Sequence, residues 1–402
     1  MRTGLDDVRR EFYTFRHGGS VAACSVAGNV SHDKGAIEAG TWNAALARSL
    51  ICSDPYWVRS MSANSIFAML SMSDGVRRTL GKMIESAGYA PHETAWRPVQ
   101  HADCYLRRYG PDAGAARPVL IVPAPIKQPY IFDLFPQVSV VRRLLQAGFS
   151  VYLHEWQEEQ GANWNLDMSI KSLRLAIEKI AIDHGRAPML VGHSLGGTLA
   201  AIAAALEPHG VDKLVLVQAP LRFGDQTGAL RLISLYAPLE FLSETAGRIP
   251  GSVLNWASVA AAPDELVFER YQDAWASLPD LEALALHSRV IRWSLDEFAP
   301  PAQLLRDVID VLYRQDRFAR NELRVLGRPA RADSLAEIPV AAIVDYTSRL
   351  VPSSSTLQPL CSPTVFVYQT EIGVALQHVG ALVGRRAHRE IWPRIVDWLR
   401  EP

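Results

Sequence analysis

A serine between two glycines offers the clearest chemistry in this chain, in residues 192–196, which read Gly-His-Ser-Leu-Gly. The residues before it, 189–191, form an apolar run typical of a buried strand, and residues 195–206 are rich in alanine and leucine, which favour helix. A serine at a sharp turn from strand to helix forms a nucleophile elbow. The start of the helix favours the negative charge that develops when a carbonyl is attacked. We therefore predict that Ser194 is a nucleophile.

A serine hydroxyl is a weak nucleophile until a base removes its proton, so the chain must also supply a histidine and an acid. The histidines after the serine are His209, His287, His378 and His388. His378 is preferred because it lies in the loop after the last predicted strand, whereas His388 is interpreted as a solvated residue of the final helix. Asp345 is the candidate acid because it directly follows the apolar run 340–344, although an aspartate there also commonly caps a turn.

The negative charge on the attacked carbonyl oxygen needs backbone N–H donors. One donor is predicted at Leu195, directly after the nucleophile. The second is expected from the loop after the predicted strand 119–122, near Pro125 and Ile126.

Composition places the chain among ordinary globular proteins. It has 402 residues, of which 49% are hydrophobic and 21% charged, and its net charge of −1 gives no electrostatic footprint for nucleic acid. We find no apolar run near the roughly 18 residues of a membrane span, no secretory signal at the N-terminus, and no cysteine or histidine spacing typical of a metal site. We expect a cytoplasmic protein with no metal and no bound cofactor.

Short apolar strands alternate with helices in two separate parts of the chain. The predicted strands are 104–109, 119–122, 149–153, 189–191, 214–217, 340–344 and 364–368. This alternation indicates a mostly parallel sheet with helices on both faces, and the elbow makes it an α/β-hydrolase fold. We predict a helical N-terminal arm at 1–90, the core at 91–219 and 337–402, and a helical cap or lid inserted at 220–336.

Several blocks from about residue 90 to the C-terminus resemble the polyhydroxyalkanoate synthase family. The matching positions lie after the first core strand, around the elbow, in the insertion, and in the last loop and helix. They are residues 118–134, Ser139, Val140, residues 148–152, Trp156, Leu166, Asp167, residues 196–199, Trp293, Asp296, Pro300, Pro301, Leu312, Tyr313, Asn321, residues 378–380, Trp392 and Trp398. The length is closer to the short synthases that need a partner subunit.

Three positions depart from the family's pattern. Ser194 stands where the synthases carry cysteine, and Gln377 stands where a glycine usually precedes the catalytic histidine. The family's acid is expected four residues before Pro352, where this chain has Ser348. Either Asp345 has taken over the role of the acid or the triad is weakened.

The resemblance implies acyl transfer from a hydroxyacyl thioester, either a coenzyme A ester or a carrier-protein thioester, through a covalent acyl-enzyme. A serine acyl-enzyme is an oxyester, a less activated donor than the thioester formed on cysteine. We therefore expect a serine-dependent acyltransferase or thioesterase. Two alternatives stay open: an intracellular esterase or polyester depolymerase, and a noncatalytic partner that binds acyl chains or a synthase. The partners this allows are a carrier protein, a synthase subunit and a second copy docked through the cap or N-terminal helices.

Overall fold

The computed structural model describes residues 63–110, 114, 116–157, 161, 163–224, 234, 247–296 and 298–402. All of them belong to one compact unit, Tyr56–Pro402. The helices are α1 Ala63–Ile84, α2 Val140–Gln146, α3 Leu166–His184, α4 Leu195–Leu206, α5 Gly251–Ala261, α6 Glu269–Ser277, α7 Leu281–Ser294, α8 Ala302–Asp307, α9 Ser353–Leu357, α10 Gly380–Val383 and α11 Trp392–Arg400. The strands are β1 Trp96–His101, β2 Cys104–Tyr109, β3 Pro118–Val122, β4 Ser150–His154, β5 Met189–His193, β6 Leu214–Val217, β7 Leu323–Val325, β8 Arg328–Ala330, β9 Val340–Val344 and β10 Thr364–Val367. Of the predicted N-terminal arm, residues 1–62 lie outside the described residues.

The central sheet has eight strands in the order β1-β2-β4-β3-β5-β6-β9-β10. β2 pairs antiparallel with both β1 and β4, and every other pairing is parallel. The inner strands β3, β4, β5, β6 and β9 are buried along their whole length, as expected for a parallel sheet covered on both faces. The α/β-hydrolase fold is therefore confirmed.

Two apolar clusters cover the two faces of the sheet. Alternate residues of a strand point to opposite faces, so Leu120 and Val122 belong to one cluster while Val119 and Ile121 belong to the other. The first cluster includes α4, which is buried at all of its residues and follows the elbow directly. The second includes the apolar residues of α10 and α11 at the C-terminus. The elbow is thus anchored in a densely packed part of the molecule.

Two elements were missed by the sequence patterns. Strand β1 lies at the edge of the sheet with most of its residues exposed, so it lacks the apolar run of the inner strands. The insertion, predicted to be helical throughout, also contains the hairpin β7–β8. Its turn residues Leu326 and Gly327 both have positive φ, 54° and 73°, which suits a two-residue hairpin turn. Leucine is an unusual residue at such a turn, and three-residue strands are too short to show alternation.

Candidate active site

Ser194 occupies the strained turn between β5 and α4. Its backbone has φ 53° and ψ −134°, and its N–H donates to the carbonyl of Val217 on the neighbouring strand at 3.0 Å. A Cβ placed on Gly196 lies 2.4 Å from Val122 O and from the carbonyl carbon of Pro123, and one on Gly197 lies 2.4 Å from Ala219 Cβ. The glycines are therefore required because the backbones on both sides of the turn leave no room for a side chain. The structure has the strand–turn–helix geometry predicted for Ser194.

His378 is brought to the elbow through the residue that precedes the nucleophile. The Nε2–H of His193 donates to the carbonyl oxygen of His378 at 3.0 Å. The two imidazole rings lie 4.7 Å apart between centroids. His378 belongs to the segment between β10 and α10, residues 371–379, which we call the histidine loop. Sequence reasoning selected His378 from its place after the last strand, but it did not identify the role of His193.

Both imidazoles at this junction are held neutral. Burial lowers the pKa of His193 to about 4, against an opposing effect of its bond to the His378 carbonyl. Burial, together with the neighbouring His193, also holds the pKa of His378 well below its usual 6.5. A neutral imidazole is the form that can accept a proton from a serine hydroxyl. His378 is therefore in the correct protonation state for a base at neutral pH.

Asp345 lies buried at the end of β9, but its carboxylate is occupied locally. Its Oδ1 accepts hydrogen bonds from the backbone N–H of Thr347 at 2.8 Å and from the Thr347 hydroxyl at 2.6 Å. Within the described residues, the buried Nδ1 of His378 has no hydrogen-bond partner. A carboxylate bonded to that nitrogen would raise the pKa of the histidine, whereas the pKa of His378 is lowered. The acid–base contact is not formed in this conformation, and the role of Asp345 stays a prediction.

Gln218 is a second polar residue at the carboxyl ends of the strands, and sequence reasoning missed it. It follows β6 directly, between the strands that carry Ser194 and Asp345, and has φ 43°. The residue is 1% exposed, and neither the nitrogen nor the oxygen of its carboxamide has a hydrogen-bond partner among the described residues. A buried unpaired amide is energetically unfavourable by about 1–3 kcal/mol, so Gln218 is available for a partner at the site. Its positive φ would not be visible in a sequence.

The predicted oxyanion donors belong to the start of α4 and to the loop after β3. Leu195 is the first residue of α4, so its N–H has no acceptor inside the helix. In the loop after β3, Pro125 carries no N–H, which leaves Ile126 as the donor of that pair. The insertion packs directly on this loop, since Trp293 Nε1–H donates to Gln128 O at 2.7 Å and Lys127 Nζ donates to Ser294 O at 2.8 Å.

The other candidate histidines and Glu371 either bond to neighbouring groups elsewhere in the fold or are exposed to solvent. His388, interpreted from the sequence as solvated, is instead buried, and its Nε2–H donates to Leu382 O at 2.8 Å. His287 is buried in the insertion against Asp273, and the ring of His209 is exposed. The carboxylate of Glu371 accepts from the backbone N–H groups of Arg386 and Ala387, so it caps the start of the C-terminal helical segment.

The described residues contain neither a cluster of metal ligands nor a helix that could span a membrane. Across the described ranges, no group of three or more histidine, cysteine, aspartate or glutamate side chains is arranged to hold a metal ion. None of the helices in those ranges combines the length and apolar character needed to cross a bilayer. The predicted cytoplasmic location stays a prediction.

This chain is similar to known proteins in sequence and in structure. The family model of the α/β-hydrolase fold matches residues 159–269. Poly(3-hydroxyalkanoate) polymerase subunit PhaC of Haloferax mediterranei is 30% identical over 292 residues, which cover 71% of this chain but only 58% of that protein. The corresponding subunit of Allochromatium vinosum is 26% identical over 348 residues, covering 82% of this chain and 94% of that protein. A solved monoacylglycerol lipase from Paleococcus ferrophilus is 18% identical, with a TM-score of 0.48 over 73% of this chain and 98% of that one.

Proposed function

We propose that this chain, which is similar to poly(3-hydroxyalkanoate) polymerase subunits and has the α/β-hydrolase fold, transfers acyl groups from a hydroxyacyl thioester through an ester on Ser194. The observation that carries the proposal is the junction of the elbow with the histidine loop through His193. It supports a nucleophile and a neutral base in one place. The similarity to poly(3-hydroxyalkanoate) polymerase subunits supports the hydroxyacyl substrate class.

The proposed reaction has two half-reactions. In the first, Ser194 Oγ bonds to the thioester carbonyl carbon while His378 takes the hydroxyl proton, and the N–H groups of Leu195 and Ile126 bind the oxyanion. The carbon–sulfur bond then breaks, and the thiolate leaves with the proton from His378. In the second, water, an alcohol or an amine loses its proton to His378 and attacks the ester, and Ser194 regains the proton as the ester bond breaks. The products are a free thiol and a free acid, a new ester or an amide.

The replacement of cysteine by serine determines which products we expect. Transfer from a thioester to a serine hydroxyl is downhill, so return of the chain to a thiol is uphill. Growth by attack of a chain-end alcohol on the serine ester is the remaining route to polymer. We therefore propose hydrolysis or a single transfer, with water or one alcohol or amine as acceptor, rather than synthesis of long polyester by this chain alone.

Intact-mass spectrometry with a panel of hydroxyacyl-coenzyme A and acyl-carrier thioesters tests this proposal. The wild-type protein should gain the mass of one acyl group and release one thiol per adduct, and Ser194→Ala should gain none. Ser194→Cys is the matched variant, because it restores the family's residue at the same position. Chromatographic sizing should show only short products from the wild type and longer ones from Ser194→Cys. High-mass polyester from the wild type alone would contradict the proposal.

A second candidate is a noncatalytic partner that binds acyl chains or a synthase. The unpartnered Nδ1 of His378 and the local bonding of Asp345 favour it, because a working base needs its second nitrogen oriented. The same mass experiment separates the two functions. Binding of an acyl thioester without any adduct on the wild type would support the partner role.

A further inference from the structure

The histidine loop is held by a buried carboxylate that belongs to the insertion. Asp273, on α6, accepts three hydrogen bonds: Oδ1 from the N–H of Gly373 at 2.7 Å, and Oδ2 from the N–H of Ala375 at 2.8 Å and from Nδ1–H of His287 at 2.7 Å. Asp273 is 8% exposed and His287 is 7% exposed. A buried carboxylate with its oxygens satisfied in this way is rigid, because losing any one bond leaves an unpaired group in the interior.

The segment that Asp273 holds has a strained backbone. Gly373 has φ 93°, and Ala375, which is not glycine, has φ 61°. A Cβ on Gly373 lies 2.9 Å from both Cα and O of Ala283, so the loop lies directly against the backbone of α7. Positive φ at a non-glycine residue is unfavourable by about 1–3 kcal/mol and persists only where surrounding contacts enforce it. The carboxylate of Asp273 supplies such a contact at Ala375, and a second one at Gly373, where glycine adopts positive φ without strain.

The end of the histidine loop next to His378 is held by hydrogen bonds to the residues that follow β10. Gln377 accepts a hydrogen bond from the hydroxyl of Tyr368 at 2.9 Å and donates one to Glu371 O at 3.0 Å. The bonds of Gln377 stay within the segment from the end of β10 to the loop. Asp273 reaches the loop from the insertion by hydrogen bonds, and its partner Ala375 lies only three residues before His378.

We propose that Asp273, oriented by His287, is a positioning residue for His378. The insertion thereby sets where the imidazole lies relative to Ser194, so that a displacement of α6 is transmitted to the base through the backbone of residues 373–375. This inference rests on the assignment of His378 as the base in the proposed function. It connects the insertion to the base through residues 373–375, all of which lie outside the nucleophile motif.

A fluorophosphonate reagent tests this inference separately from the substrate. In that reaction Ser194 Oγ bonds to phosphorus, fluoride leaves with the bonding electrons, and His378 takes the hydroxyl proton. No thioester is involved, so failure of the proposed substrate class leaves the test intact. We expect Asp273→Asn to lower the maximal rate of phosphonylation by on the order of ten- to a hundred-fold, because a small misplacement of a base has that effect. The half-saturating concentration of the reagent should stay within about twofold of the wild type, as binding groups are untouched.

Asp74→Asn is the matched control, since Asp74 is also buried and accepts two backbone N–H bonds, from Gly251 at 2.9 Å and Ser252 at 2.8 Å. Both variants should lose similar stability in urea unfolding. Only Asp273→Asn should also shift the acid limb of the rate profile upward, toward about pH 6.5, as the imidazole becomes more hydrated. An equal shift in Asp74→Asn, or a wild-type rate and profile in Asp273→Asn, would overturn the inference.

A pair of changes at His287 decides the question if Asp273→Asn does not fold. His287→Gln keeps an N–H donor for the carboxylate, whereas His287→Leu removes it. We expect the leucine variant to phosphonylate slowly with a shifted profile and the glutamine variant to recover most of the wild-type rate. Equal rates in both variants would show that orientation of Asp273 does not reach His378. If the wild-type protein does not react with the reagent at all, then the assignment of His378 as the base is wrong, and the inference about Asp273 fails with it.

Discussion

The elbow and the histidine loop are built in different ways, although both must be rigid. The elbow is fixed by backbone packing, where a side chain at Gly196 would lie 2.4 Å from the backbone of Val122 and Pro123. The histidine loop is fixed by polar side chains, chiefly Asp273, which lies 102 positions before Ala375 in the chain. The nucleophile is thus specified by adjacent residues, whereas the position of the base depends on contacts between distant ones.

Removing the nucleophile should have the largest effect. Ser194→Ala should lower turnover by on the order of a million-fold, since no other group can form the acyl-enzyme, while the free energy of unfolding changes by less than about 0.5 kcal/mol. Turnover is followed by thiol release and stability by urea unfolding. Wild-type turnover in this variant would show that the elbow is not catalytic. The elbow and the histidine loop would then differ in how they are built but not in a catalytic role.

The acid is the next test, because it decides whether the histidine loop belongs to a complete triad. Asp345→Asn should lower kcat by up to about ten-thousand-fold if the carboxylate turns from Thr347 to the Nδ1 of His378 during the reaction. Ser348→Ala should have a much smaller effect. A silent Asp345→Asn together with a strong loss in Gln218→Leu would move the orienting role to the carboxamide at the end of β6.

The contrast between the regions also explains how far sequence reasoning reaches here. The strands at 214–217 and 340–344 were predicted with the bounds that the structure has, because buried parallel strands are continuous apolar runs. The elbow was predictable because its glycines and serine are contiguous. The contact of Asp273 with Gly373 was not, since a single buried aspartate looks like any helix-surface residue until its partners are placed. His388 was misjudged for the same reason: its arginine neighbours in sequence suggested solvent.

A smaller effect, on the free energy of unfolding, should come from adding a side chain to the elbow while Ser194 is kept. Gly196→Ala should lower the free energy of unfolding by about 3 kcal/mol or more, because the added Cβ would lie 2.4 Å from Val122 O and the backbone must move. Gly75→Ala is the control, since this exposed position within α1 has nothing within 4 Å. It should stabilise the protein by about 0.5–1 kcal/mol through helix propensity. Loss of stability in both variants would mean that backbone packing is not what distinguishes the elbow.

The smallest effect concerns the junction of the two regions and depends on pH. The pKa of His193 is about 4 in the folded protein, lowered by burial from 6.5, so between these pH values the unfolded chain binds a proton that the folded chain does not. Above about pH 6.5, neither state binds this proton, and His193 leaves the free energy of unfolding at its full value. As the pH falls from 6.5 toward 4, protonation of His193 in the unfolded chain lowers the free energy of unfolding by about 1.4 kcal/mol per pH unit.

His193→Gln keeps an N–H donor for the carbonyl of His378 but cannot titrate, so it isolates this contribution. Urea unfolding at pH 7, 6 and 5 should give a stability curve that falls less steeply than that of the wild type, by about 1.4 kcal/mol per pH unit below pH 6.5. His209→Gln is the control for loss of a histidine outside the junction, because that side chain is 92% exposed. Parallel curves for His193→Gln and the wild type would show that the junction is hydrated, and a hydrated junction could not keep His378 neutral by burial.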